Sequence, residues 1–214
     1  GRGMSMRVAF IGLGVMGYPM AGYLAKNQHD VVVYNRTSSK AQDWCAEYPG
    51  RSASTPAAAA ESADVVFVCV GNDDDVRQVV LDDAGILAAM SDGAIIVDHT
   101  TASANIAREI HLAASERGVG FLDAPLSGGQ AGAENGQLTI MVGGDEAIFA
   151  RVEPVMNAYA KAITRIGPAG SGQLAKMVNQ ICIAGIVQGL AEGLSFAQHA
   201  GLDPELLISA ISKG

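Results

Sequence analysis

A chain of 214 residues, 49% hydrophobic and only 17% charged, holds enough apolar material for one large domain or one and a half, which excludes a disordered polypeptide. Its formal charge of −8 lacks the basic footprint that nucleic acid or an anionic membrane surface requires, so neither is expected as a partner. Cys45, Cys69 and Cys182 lie far apart without paired spacing, so neither a zinc site nor a disulfide framework is indicated.

Gly1-Arg2-Gly3 ahead of Met4 reads as a cloning remnant, with the native start at Met4 or Met6. No secretory pattern opens the chain, and no apolar stretch reaches the ~18 residues that span a bilayer. A soluble, cytoplasmic protein is expected. Arg7–Ile11 is a short apolar strand, Met16–Asn27 a helix, Val31–Asn35 a strand, and Ser38–Tyr48 a helix that Ser38 or Ser39 can cap. Asp64–Val70 is a continuous β-branched run in which Cys69 reads as a core thiol. Asp73–Leu81 begins with three acids that the helix dipole favours. Ala94–Asp98, Ser103–Arg117 and Val119–Asp123 then read as strand, helix and strand. Apolar strands alternating with helices imply a parallel sheet covered on both faces, hence a doubly wound α/β fold of the Rossmann type.

Past Ser127 the pattern changes. Leu138–Val142 is a strand, Asp145–Tyr159 a helix containing Pro154, and Ile163–Ile166 a short strand. From Gln173 to His199 runs a helix of about 27 residues, roughly 40 Å at 1.5 Å per residue. Gly185, Gly189 and Gly193 recur along it and permit close approach of another helix. Lys176, Gln188 and Glu192 interrupt it and argue against a membrane role. Asp203 caps a further helix from Pro204, which barely starts before Gly214, so an all-α domain cut short is expected. The expected division is a start segment over 1–5, a dinucleotide-binding domain over 6–168, and over 169–214 an interdomain helix with the start of a helical substrate or dimerisation domain.

Gly12-Leu13-Gly14-Val15-Met16-Gly17 fits GxGxxG between a strand and a helix, the context of a dinucleotide-binding turn. Gly12 makes the turn, Gly14 admits the pyrophosphate, and Gly17 lets helix and strand pack. An acid usually binds the ribose after the second strand; here Asn35-Arg36-Thr37 offer no charge against a 2′-phosphate, a forked guanidinium and a hydroxyl. NADP is therefore favoured over NAD, with NAD still open. Val70, Gly71, Asp75 and Thr101 follow later strands and should line the same crevice, although Asp98 or Thr101 also reads as a cap of the next helix. Asp73, Asp74 and Asp75 are consecutive and cannot converge on one ion, so no metal site is expected.

Asp123-Ala124-Pro125-Leu126-Ser127-Gly128-Gly129 leaves a strand for a loop whose hydroxyl and glycine N–H groups suit a small anion or hydroxy acid. Lys176, with Asn179 and Gln180 three and four residues on, shares a helical face with two amides. Such a lysine can donate hydrogen bonds to a substrate oxygen and protonate it during hydride delivery.

Gly12–Ala21, Asp98–Thr101, Asp123–Gly129, Leu138–Gly144 and Gly170–Gln180 together resemble the β-hydroxyacid dehydrogenase family. That family includes 3-hydroxyisobutyrate dehydrogenase, tartronate semialdehyde reductase and glyoxylate/succinic semialdehyde reductases. The resemblance implies Lys176 as catalytic acid/base, Asn179 as substrate holder, Ser127, Gly128 and Gly129 as a carboxylate loop, Thr101 beside the nicotinamide, and a homodimer or homotetramer. Some members carry a second Asn where this chain has Gln180. The family's helical domain continues past the point matching Gly214 and closes the substrate pocket, so the activity of the 214-residue form stays open. The competing reading is a non-catalytic dinucleotide-binding scaffold of the same fold, against which Lys176 and Asn179 weigh. Imine reduction and 6-phosphogluconate decarboxylation fit less well, because the former usually replaces the lysine and the latter carries His-Asn where this chain has Asn179-Gln180.

Overall fold

The computed structural model describes residues 4–212. Residues 1–3 of the expected start segment lie outside the described residues. The chain divides into two compact units, Gly1–Lys176 and Met177–Gly214.

The first unit begins β1 (Arg7–Ile11), α1 (Gly17–Lys26), β2 (Asp30–Tyr34), α2 (Ser38–Glu47), β3 (Arg51–Ser52), α3 (Pro56–Ala60) and β4 (Val65–Val68). It continues with α4 (Asp73–Leu81), α5 (Ile86–Ala89), β5 (Ile95–Asp98), α6 (Ala104–Glu116) and β6 (Gly120–Asp123). Then follow β7 (Leu126–Ser127), α7 (Gly129–Glu134), β8 (Leu138–Gly143), α8 (Glu146–Met156), β9 (Ala160–Gly167) and the start of α9 (Ser171–His199). The sheet order is β3-β2-β1-β4-β5-β6-β8-β7, with β9 paired to β8. The pairings from β3 through β6 are parallel. Two apolar clusters cover the two faces, one around Phe10, Trp44 and Phe67, the other around Ile11, Ile96 and Phe121. This is the doubly wound Rossmann arrangement, in which strand order reverses between β1 and β4 and opens a crevice at their carboxyl ends.

Beyond β6 the sheet is mixed. β8 runs antiparallel to both β6 and β7. The link from Ser127 to Leu138 is shorter than the dozen or so residues that a parallel crossover needs, so the chain can only turn back. The strand expected at Ile163–Ile166 extends over Ala160–Gly167, because β8 offers it a full parallel edge.

Helix N-caps differ from expectation in two places, and α9 starts at Ser171, two residues ahead of the expected Gln173. Thr37, not Ser38 or Ser39, occupies the N-cap of α2 and makes no side-chain capping bond. Asn35 Nδ2 holds the Thr37 carbonyl at 3.0 Å, so the backbone is still extended there. Neither Asp98 nor Thr101 caps α6; Ser103 Oγ accepts from Ile106 N, while Asp98 accepts from Thr100 N.

The second unit holds the rest of α9 and α10 (Pro204–Ile211), whose first turn is capped by the Asp203 carboxylate as expected. Ile186, Leu190 and Phe196 are exposed along α9. By length and composition α9 is apolar enough to cross a bilayer, a correction to the reading that no stretch is. Gln188 is uncharged, so it breaks the run less than a lysine or glutamate does, and apolar residues surround the helix instead of forming one stripe.

Candidate active site

A crevice of about 780 Å³ lies at the carboxyl ends of β1, β2 and β4. Gly12, Gly14, Val15, Met16 and Gly17 line one wall, and Cys69, Val70 and Gly71 another. Gly12 has φ +103°, and a Cβ there would collide with the Cys69 carbonyl, so turn and close approach both require glycine. A Cβ on Gly17 would collide with the Gly12 carbonyl, which is how helix α1 lies so near β1. Gly14 is exposed with nothing within 4 Å of a built Cβ, leaving bare backbone facing the crevice at the opening of α1. Bare N–H groups at a helix start fit a pyrophosphate. Leu13 is the one motif residue turned inward: its side chain is buried, and its N–H donates to Asn35 Oδ1 at 2.9 Å.

Asn35, Arg36, Thr37 and Asp75 also line the crevice. Asn35 is committed to the loop, bridging the Leu13 N–H and the Thr37 carbonyl. Arg36 Nη2 pairs with Asp75 Oδ1 at 3.1 Å. The three consecutive acids diverge: Asp73 accepts from Ser103 N and Oγ, Asp74 pairs with Arg77, and Asp75 with Arg36. Ser54, Thr55 and Gln78 also belong to the lining; the first two follow β3, a two-residue strand without a readable sequence period.

The carboxyl ends of β5 and β6 carry a buried polar network. His99 lies with Nδ1 at 2.6 Å from the Ala124 carbonyl and Nε2 at 2.7 Å from Tyr159 Oη, its ring stacked on Phe67. Burial pushes this imidazole down to about 4, so it is neutral, and it raises the Tyr159 hydroxyl well above its ordinary value. Burial raises Asp98 to about 7 against the hydrogen bonds from Thr100, with the Asp123 and Asp73 charges adding to the rise. Burial and the charge of Asp98 likewise push the Cys69 thiol up to about 12, which fits an inert packing role. The His99–Tyr159 pair escaped the sequence reading because its members lie 60 residues apart.

The same region fastens the start of α9. Asp123 Oδ1 accepts from Gly170 N at 2.8 Å and Oδ2 from Gln173 N at 3.0 Å, satisfying two donors that a helix start leaves open. Gln173 accepts from Ala102 N at 3.1 Å and donates to the Thr100 carbonyl at 2.7 Å. Lys176 follows three residues later and is half-buried. Thr101 is exposed between the two residues that Gln173 grips, and is not part of the crevice lining. Ser127 sits in β7 opposite Thr139, and Gly128 and Gly129 follow with φ +122° and +61°. Both glycines are exposed, and Gly129 has nothing within 4 Å of a built Cβ. Lys176 closes the first unit, whereas Asn179 and Gln180 belong to the second, where Asn179 is half-buried and Gln180 exposed.

Residues 7–167 match the family model described as the NAD binding domain of 6-phosphogluconate dehydrogenase. Residues 170–214 match the model described as NAD-binding of NADP-dependent 3-hydroxyisobutyrate dehydrogenase. An uncharacterized oxidoreductase of Shewanella frigidimarina is 62% identical over 208 residues, which cover 97% of this chain and 72% of that protein. A probable 3-hydroxyisobutyrate dehydrogenase-like protein of Arabidopsis thaliana is 44% identical over 97% of this chain and 62% of its own length. The chain thus spans between about three fifths and three quarters of these relatives' lengths. The solved structure of Mycobacterium tuberculosis 3-hydroxyisobutyrate dehydrogenase with L-serine superposes with a TM-score of 0.92 at 34% identity, covering 99% of this chain and 71% of that one.

Proposed function

The chain belongs to the β-hydroxyacid dehydrogenase family, and on that premise we propose that it exchanges a hydride between NADP(H) and a small 3-hydroxy acid or its semialdehyde. Gly12, Gly14, Gly17 and Arg36 would hold a nicotinamide dinucleotide in this crevice, and that group would supply or accept the hydride. Lys176 donates a proton to the carbonyl oxygen of the substrate, or withdraws it in the reverse direction. Ser127 Oγ with the N–H groups of Gly128 and Gly129 holds the carboxylate. Thr101 stands on the nicotinamide side.

The observation that carries this reading is the fastening of α9: Asp123 and Gln173 pin the helix start beside Thr100–Ala102, one turn ahead of Lys176. A proton donor needs a fixed approach to the oxygen of the reacting carbonyl, and these bonds supply it. NADP rests on Arg36 in the crevice lining and on an uncharged Asn35 before it. Part of the same proposal is that the protein works as a homodimer or homotetramer in the cytoplasm.

The test is a panel of 3-hydroxyisobutyrate, tartronate semialdehyde, glyoxylate and succinic semialdehyde against both dinucleotides, with Lys176→Ala in the whole protein. Loss of a general acid lowers kcat about 10²–10⁴-fold. Undiminished turnover in the variant would refute the role of Lys176, and a tenfold preference for NAD would refute the cofactor assignment.

A further inference from the structure

Arg36 is the one cation among the described residues lining the crevice, and it is already paired. Its partner sits on the opposite part of the lining. Asp75 lies in the first turn of α4, where the helix dipole favours a carboxylate. Its N–H donates to Asn72 Oδ1 at 2.9 Å. A Cβ on Gly71 would stand 2.7 Å from Asp75 Oδ2, so the bare residue after β4 makes room for this carboxylate against the crevice wall. The two ends of the pair differ in freedom: the Arg36 side chain is 77% exposed and that of Asp75 28%. The acid is the more enclosed partner and the guanidinium the more exposed.

From this we propose that Asp75 is a specificity-determining residue for the dinucleotide: it competes with a 2′-phosphate for Arg36 and so weakens the preference for NADP(H) over NAD(H). The inference rests on the proposed dinucleotide site. A 2′-phosphate is a dianion that needs the Arg36 fork, and Asn35 cannot substitute because its amide bridges Leu13 and Thr37. To engage, the phosphate draws Arg36 off the carboxylate and stands near a fixed negative charge. A 2′-hydroxyl asks for neither, so NAD(H) leaves the pair intact.

The test is calorimetric titration of NADP+ and of NAD+ into the parent chain, Asp75→Asn, Asp75→Glu and the Arg36→Ala/Asp75→Asn double variant, with no substrate and no turnover. Exposed ion pairs of this kind correspond to factors of up to about five in an equilibrium constant. Asp75→Asn is expected to tighten NADP+ about fivefold and shift NAD+ by less than about twofold, with the gain shrinking as salt is raised. Asp75→Glu keeps the charge and is expected to stay within about twofold of the parent for both cofactors. In the Arg36→Ala background the Asn substitution is expected to yield less than about twofold. An unchanged NADP+ affinity, or equal shifts for both dinucleotides, would overturn the competition while leaving the dinucleotide site standing. Failure of every variant and the parent to bind either dinucleotide would overturn the site and the inference together.

Discussion

Asp123→Ala should unbolt the start of α9. The carboxylate is fully buried and accepts from Gly170 N at 2.8 Å and Gln173 N at 3.0 Å. A hydrogen bond to a charged acceptor contributes about 1.5–3 kcal/mol, and its loss leaves a buried donor without a partner. Two such bonds, partly replaced by entering water, amount to about 4 kcal/mol. For a chain of this size each kcal/mol corresponds to about 2–4 °C, so Tm should fall by about 12 °C. Trp44, the single tryptophan, is buried in the sheet core of the first unit and reports its unfolding in urea by fluorescence. Asp123→Asn should fall between parent and alanine, because its oxygen serves one donor while its NH2 opposes the other. A loss below about 1 kcal/mol for Asp123→Ala would refute the claim that this carboxylate holds the helix.

Gly12→Ala should destabilise by more than about 3 kcal/mol in the same assay, since a positive φ and the collision with Cys69 add. Gly14→Ala meets open space, so its stability should stay within about 0.5 kcal/mol of the parent while dinucleotide affinity drops at least about tenfold; equal affinity would sink the proposed role of Gly14. Tyr159→Phe strips His99 Nε2 of its partner in the core and should cost about 1–3 kcal/mol by urea unfolding. Asp98, raised to about 7 in the folded protein, contributes stability that is complete below the ordinary carboxylate range and is lost as pH rises to about 7. His99, lowered to about 4, contributes in the opposite sense, gaining as pH rises from about 4 to its ordinary value. Asp98→Asn removes only the first effect. The stability of the variant relative to the parent should therefore rise between about pH 4.5 and pH 7.5, by up to about 4 kcal/mol; a flat difference would contradict the buried, proton-holding Asp98.

Local pattern made much of this protein readable. The strands β1, β2, β4, β5 and β6 are short apolar runs bounded by turns, and their parallel pairing follows from the helices between them. GxGxxG announced its own geometry because each glycine answers a separate steric demand: Gly12 the turn, Gly17 the packing, Gly14 the open face. The elements that escaped were β3, β7, α3, α5 and α7, all too short to show a period. Nothing local in the sequence says that the Asp123 carboxylate, at the end of a strand, meets a helix start 47 and 50 residues on.

The sequence alone determined the doubly wound core, the dinucleotide turn, the place of the Asp123–Gly129 loop and the presence of Lys176 near a helix start, because these depend on short-range sterics and periodicity. Tertiary structure alone decided which of those residues are engaged and with what. It committed Asn35 to bracing the loop, tied Arg36 to Asp75, buried Asp98 and His99 until their protonation shifted, and clamped α9 through Asp123 and Gln173. Burial and partner choice are properties of contacts between distant segments, so they exist only once the sheet has brought the ends of β2, β4, β5 and β6 to one edge.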